Sequence, residues 1–129
     1  MARDPKAIVR EFYDEVINRR NVGAIDHLLS EDFRHNGEAR GRAGQRQAVE
    51  DFLNGFSDLR HEILIILAEA DLVSAHQRWA GTFDGTFLGH EPNGRFLSFS
   101  STAILQVRGD EICQAWDVVD IGLAAQLAQ

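Results

Sequence analysis

The side chains of this sequence that could move a proton fall in a few short stretches, most of them beside aromatic residues. Near the C-terminus, Trp116-Asp117-Val118-Val119-Asp120 sets two carboxylates at the end of an apolar, alternating segment. Phe33-Arg34-His35-Asn36 sets an imidazole and an amide next to a ring. His76, Arg78 and Trp79 are close neighbours in the chain, and Tyr13, the only tyrosine, follows Phe12. A carboxylate enclosed by apolar side chains is a stronger base than a solvated one, because burial disfavours its charged form. Such a group can take up a proton and return it in a later step, while a neutral imidazole can donate to an oxygen on which charge develops. Phe33, Trp79 and Trp116 can supply stacking surface for a flat apolar ligand.

Other chemistries leave no trace. The sequence has no Gly-x-Ser-x-Gly elbow, no phosphate-binding glycine loop, no Gly-x-Gly-x-x-Gly fingerprint and no paired cysteines. Its five histidines form no tight cluster, so neither a metal nor any other cofactor is expected.

The chain must also build an enclosure for these groups. It has 129 residues, 44% hydrophobic and 26% charged, which suits a single domain spanning 1–129 that buries about 65 to 70% of its unfolded surface. Thirteen Lys and Arg against 20 Asp and Glu leave a net charge of -7, which opposes the phosphate neutralisation that nucleic-acid binding requires. The longest apolar run, 63–68, falls far short of the roughly 20 residues that span a bilayer. With one cysteine and no apolar N-terminal stretch, the expectation is a cytoplasmic protein whose partner is a small hydrophobic molecule rather than a nucleic acid or a membrane.

Apolar spacings of three and four at Ile8, Phe12 and Val16, and at Ile25, Leu28 and Leu29, predict two short amphipathic helices, the first opened by Asp4-Pro5. A polar stretch over 34–44 precedes a third helix marked by Val49, Phe52, Leu53 and Phe56 and ending near Asn54-Gly55. From His61 onward, β-rich segments at 62–68, 72–83, 95–107 and 111–119 predict four strands with short connections. Helices first and strands afterwards give an α+β layout, with the helices on one face of an antiparallel meander whose long strands coil strongly. Strict alternation in the last strand puts Ile112, Gln114, Trp116, Val118 and Asp120 on one face and Cys113, Ala115, Asp117 and Val119 on the other. Alternation alone leaves open which face is inside.

Val9-Arg10-Glu11-Phe12-Tyr13-Asp14-Glu15-Val16, Leu29-Ser30-Glu31-Asp32-Phe33 and Ala115-Trp116-Asp117-Val118-Val119-Asp120 resemble the SnoaL-like polyketide cyclases of the NTF2-like superfamily. So does the central run from Thr82 through Phe87-Leu88-Gly89 and Pro92 to Arg95. The resemblance implies an NTF2-like cone, in which a curved sheet wraps helices around an apolar pocket, and a homodimer packed through the sheets. It implies a cofactor-free intramolecular aldol closure of a hydrophobic carbonyl compound, such as an aromatic polyketide. In the cyclases a carboxylate four residues after the tryptophan of the last strand acts as acid and base, a position that matches Asp120. Asp117, on the opposite face, is then the competing acid and is expected to meet solvent or a partner. Relatives present a histidine at the pocket mouth, which points to His35, and the pocket is expected to include Phe33, Asn36, Tyr13, His76, Trp79 and Trp116. Two other readings stand beside this one. One is a non-catalytic dimer that binds a hydrophobic ligand. The other is opening of an epoxide by water, as in limonene epoxide hydrolases, through Arg78 with Asp84 and Asp120.

Overall fold

Asp4 accepts the Lys6 N–H at 3.0 Å and Pro5 occupies the first turn, which starts helix α1 (Pro5–Phe12). The computed structural model describes residues 3–129. Beyond Phe12 the helix widens into a π-helical stretch, Tyr13–Asn18, in which the Arg19 N–H reaches back five residues to the Asp14 carbonyl at 2.9 Å. Because of the wider turn, Phe12 and Tyr13 are both buried, followed by Val16 and Ile17. A 3₁₀ turn, Val22–Ala24, leads into α2 (Ile25–Leu28).

The chain then becomes extended. Strand β1 (Leu29–His35) and the two-residue β2 (Glu38–Ala39) occupy a region whose sequence predicts the end of a helix and a polar loop. β1 carries no strict alternation, with burial at Leu29, Ser30 and Phe33, and its main pairing is parallel, to the distant β6. A strand defined by a partner some eighty residues away has no local signature. The connecting turn does have one. Asn36 and Gly37 stand between the paired residues His35 and Glu38 with φ of 49° and 82°, the left-handed pair for which Asn-Gly is the favoured hairpin sequence.

Helix α3 (Gly41–Gly55) precedes β3 (Arg60–Glu69), β4 (Leu72–Thr82), β5 (Phe96–Arg108), β6 (Glu111–Val119) and the short α4 (Gly122–Leu127). The four long strands lie within one or two residues of the predicted boundaries. They form one curved, unclosed sheet in the order β2-β1-β6-β5-β4-β3, antiparallel throughout except at β1–β6. The inner face carries Val73, Ala75, Gln77 and Trp79 from β4 and Leu97, Phe99, Ser101, Ala103 and Leu105 from β5, all buried.

α1 and α3 cover that face, and the Arg42 guanidinium fastens the start of α3 to the sheet through the Leu29 carbonyl at 2.9 Å and the Glu111 carboxylate at 2.8 Å. The loop after β4 folds over the end of α3. A Cβ on Gly85 would lie 2.0 Å from the Asn54 carbonyl oxygen, so only glycine permits this approach, which brings Phe87 against Phe52 at 5.2 Å between ring centroids. Among the described residues, no helix is long and apolar enough to cross a membrane.

Candidate active site

A β-bulge in β6 decides which acid faces inward. Gln106 pairs with Gln114 but Val107 pairs with Ile112, so Cys113 is an extra residue and the alternation changes phase there. Ile112 points into the core before the bulge; Ala115, Asp117 and Val119 point inward after it. Strict alternation would have kept Ile112 and Asp120 on one face.

Between the inner face and the helices lies a cavity of about 420 Å³. Trp79, Phe99 and Phe52 make its aromatic wall, with Phe33 and Leu105 behind, and Phe87 and Leu88 at the loop side. Its polar lining comes from Tyr13, His35 and Asp117, with Arg40, Gln45 and Asp51 toward solvent. A space of this size and character suits a small, mainly apolar molecule held by a few polar groups.

Asp117 is mostly buried, and its Oδ1 has no hydrogen-bond partner. Burial pushes its carboxyl above the usual aspartate value, opposed by the Ser101 hydroxyl. His35 pairs across the sheet with Ala115, two residues from Asp117 on the same face, and its buried Nδ1 also lacks a partner. Burial, assisted by the Arg40 charge, lowers the His35 pKa and keeps the ring neutral at pH 7. Two buried polar atoms without a partner beside an apolar cavity are costly to the fold. Asn36 registers them. Its Oδ1 accepts the Asp117 N–H at 2.8 Å and its Nδ2 donates to the Asp117 carbonyl at 3.3 Å, fixing the β1 end against β6.

Of the residues expected from the sequence, Phe33, His35, Tyr13 and Trp79 line the cavity. The others do not. Asp120 lies one residue beyond β6, exposed, where its carboxylate accepts the Gly122 N–H at 2.9 Å at the start of α4. Trp116 is on the outer face of the sheet, 40% exposed, by the same change of phase. His76 is also on the outer face, its Nδ1 2.8 Å from the Thr102 hydroxyl. Asn36 is exposed and serves the backbone of Asp117 rather than the cavity. Asp117, expected to meet solvent or a partner, is the acid that faces the cavity. The epoxide-opening set is dispersed as well: Arg78 is exposed on the outer face, and Asp84 accepts the Ser57 N–H at 3.0 Å on the surface. The bulge that governs these placements depends on pairing between β5 and β6 and leaves no mark in the sequence of β6 itself.

The raised Asp117 pKa has a cost to the fold. From the ordinary value of 3.8 upward, the folded chain holds this proton longer than the unfolded chain does, so the stability that Asp117 contributes is present at low pH and lost as pH rises through the folded value. At neutral pH the buried carboxylate is therefore destabilising, and Asp117→Asn is expected to melt higher than the wild type at pH 7, with the gain shrinking toward pH 3. A thermal melt series across that range checks it, and a lower melting temperature for the variant at pH 7 would contradict the burial argument.

A family model described as SnoaL-like polyketide cyclase matches residues 7–129. No curated protein matches the chain. Among solved structures, TsrD from Streptomyces laurentii is 27% identical with a TM-score of 0.88, covering 98% of this chain and 97% of that one. A SnoaL-like polyketide cyclase from Agrobacterium tumefaciens shares the fold at 20% identity and a TM-score of 0.87, over 98% and 99% of the two chains. AclR from Streptomyces galilaeus, a proposed hydroxylase, is 25% identical with a TM-score of 0.83, over 96% and 95%.

Proposed function

This chain belongs to the SnoaL-like polyketide cyclase family, and from that premise we propose that it closes a ring in a hydrophobic carbonyl compound by an intramolecular aldol reaction, with Asp117 as the proton carrier. Relatives with this fold are described with more than one chemistry, so the cavity residues and not the fold must carry the reading. The observation that carries it is a carboxyl with an unpaired, buried oxygen at the wall of an apolar cavity.

In the proposed reaction the Asp117 carboxylate takes a proton from the carbon alpha to a carbonyl, leaving an enolate. The enolate carbon attacks a second carbonyl of the same molecule; one C–C bond forms as that C=O π bond becomes an alkoxide. The proton on Asp117 then passes to the alkoxide, so substrate and product are isomers and the carboxylate is regenerated. Desolvation makes Asp117 a better base, and the neutral His35 offers a ring nitrogen along the same wall.

The first half of the reaction can be tested with an unspecific bicyclic ketone. The chain should accelerate exchange of the α-protons of 2-tetralone in D₂O, followed by proton NMR. Exchange no faster than with an equal concentration of acetate would refute the proton-transfer reading and favour the non-catalytic ligand-binding alternative.

A second copy of the chain is the proposed partner. Ile65, Leu67, Ile104, Trp116 and Val118 are exposed on the outer face, with Ile104 directly opposite Trp116, an apolar patch of the kind that marks an interface. Packing two such faces about a two-fold axis would cover both. Sedimentation velocity should give a dimer for the wild type and a monomer for Ile104→Glu. A monomeric wild type at micromolar concentration would remove the proposal.

A further inference from the structure

Behind the cavity wall lies a buried polar chain whose hydrogen count has a direction. Gln77, wholly buried in β4, has its Oε1 2.6 Å from His61 Nε2, and its Nε2 donates to the Tyr13 hydroxyl and to Ser101 Oγ, each at 3.2 Å. Ser101 Oγ also accepts the Trp79 indole N–H at 2.9 Å. An indole nitrogen can only donate, so both lone pairs of Ser101 are taken and its own proton must point elsewhere. Ser101 stands one diagonal step from Asp117 on the inner face, since Ala103 is the residue paired with Asp117, which makes Asp117 the carboxyl nearest that hydroxyl along the face.

The same count applies to Tyr13. Its hydroxyl accepts from Gln77, and among the described residues nothing accepts its proton. The ring is held by stacking on His61 at 4.2 Å and by the edge of Trp79 at 6.0 Å, and it lines the cavity. Burial pushes the phenol well above the usual tyrosine value, so it remains an O–H donor. Burial likewise lowers His61 to about 4, so its ring is neutral, and with the Gln77 amide oriented this way its Nε2 carries the proton that Gln77 Oε1 accepts. The reverse orientation of the Gln77 amide would turn its carbonyl toward Tyr13 and Ser101, absorb both O–H protons and leave Asp117 facing no donor.

We infer that Gln77 is a positioning residue whose amide turns two hydroxyl protons toward the cavity, that of Ser101 to Asp117 and that of Tyr13 to a carbonyl oxygen of the bound molecule. The inference rests on the proton-transfer reading and adds to it a site for the oxyanion. A pre-oriented donor aimed at an oxygen that gains charge lowers the barrier to enolate formation.

Naphthols carry a phenolic oxygen on a flat apolar frame, and that oxygen gains negative charge as the naphthol becomes more acidic, so they probe that site; naphthalene is the control without oxygen. Fluorescence titrations of wild type, Tyr13→Phe, Gln77→Leu and Asp117→Asn with 2-naphthols of increasing acidity should give wild-type affinity that rises with acidity. Tyr13→Phe and Gln77→Leu should weaken binding of the most acidic naphthol by about tenfold to a hundredfold, the range for a hydrogen bond to a charged group, and leave naphthalene unchanged. Asp117→Asn should bind that naphthol more tightly, because a like charge is removed. Naphthalene binding with no difference between wild type and Tyr13→Phe on naphthols would overturn the relay alone. Binding of neither compound would overturn the apolar-cavity reading with it. If Gln77→Leu does not fold, ¹⁵N shifts of His61 in the wild type decide the direction: a proton on Nε2 is expected, and a bare Nε2 overturns it.

Discussion

Asp117→Asn is expected to lower the rate of α-proton exchange from 2-tetralone by a factor of about 10² to 10⁴, the usual contribution of a positioned general base, while Asp120→Asn stays within about twofold of the wild type. The contrast follows from where the two carboxylates sit. Asp117 is mostly buried at the cavity wall with one oxygen unpaired, whereas Asp120 is exposed beyond the strand and occupied by the Gly122 N–H. Because the base must be ionised, the wild-type rate should climb with pH through a value above that of an ordinary aspartate. Loss of exchange must coincide with the gain in stability expected for Asp117→Asn at pH 7, which separates lost chemistry from lost fold. A variant with wild-type exchange, or an Asp120→Asn variant that is the inactive one, would reassign the base.

Phe56→Ala is expected to cost about 3 to 5 kcal/mol, the range for truncating a buried aromatic side chain. Phe56 is fully buried where the end of α3 meets the end of β4. Its ring stacks on Phe83 at 5.5 Å and meets Phe52 and Phe87 edge-on, both at 5.7 Å. Its carbonyl also accepts from the Arg20 guanidinium, so the site is fixed to the segment between α1 and α2 and has little freedom to collapse around a void. Against a total stability of about 5 to 15 kcal/mol for a domain, such a loss removes much of the folded population's margin. Urea unfolding measures it directly. A loss below about 1 kcal/mol would mean that Phe52, Phe83 and Phe87 repack, and the cavity wall would then be more deformable than its ring contacts indicate.

The order of helices and strands, the four long strands and the hairpin lengths between them follow from hydrophobic spacing and turn residues, which act over a few positions and so are written locally. So is the shift from helix to strand near residue 60, and so are the aromatic residues that supply the wall. The Asn36-Gly37 turn that holds His35 in place has a local signal, but it lies inside the stretch read from the sequence only as a polar loop. The strand β1 before that turn has no such signal, because its partner in the sheet is β6.

The chemistry depended on non-local facts. The family resemblance and strict alternation together point to Asp120 and Trp116, yet one extra residue at Cys113 exchanges the two faces of β6, turning Asp117 inward and leaving Trp116 on the outer surface. Tyr13 is turned inward beside Phe12 by a π-helical turn, and the Gln77 relay joins residues that only cross-strand pairing and the packing of the first helix bring together. The sequence by itself determined the elements and the residue types, because those answer to neighbours along the chain. Which acid reached the cavity was decided by the tertiary structure, because the phase of a strand is set by the strand bonded to it.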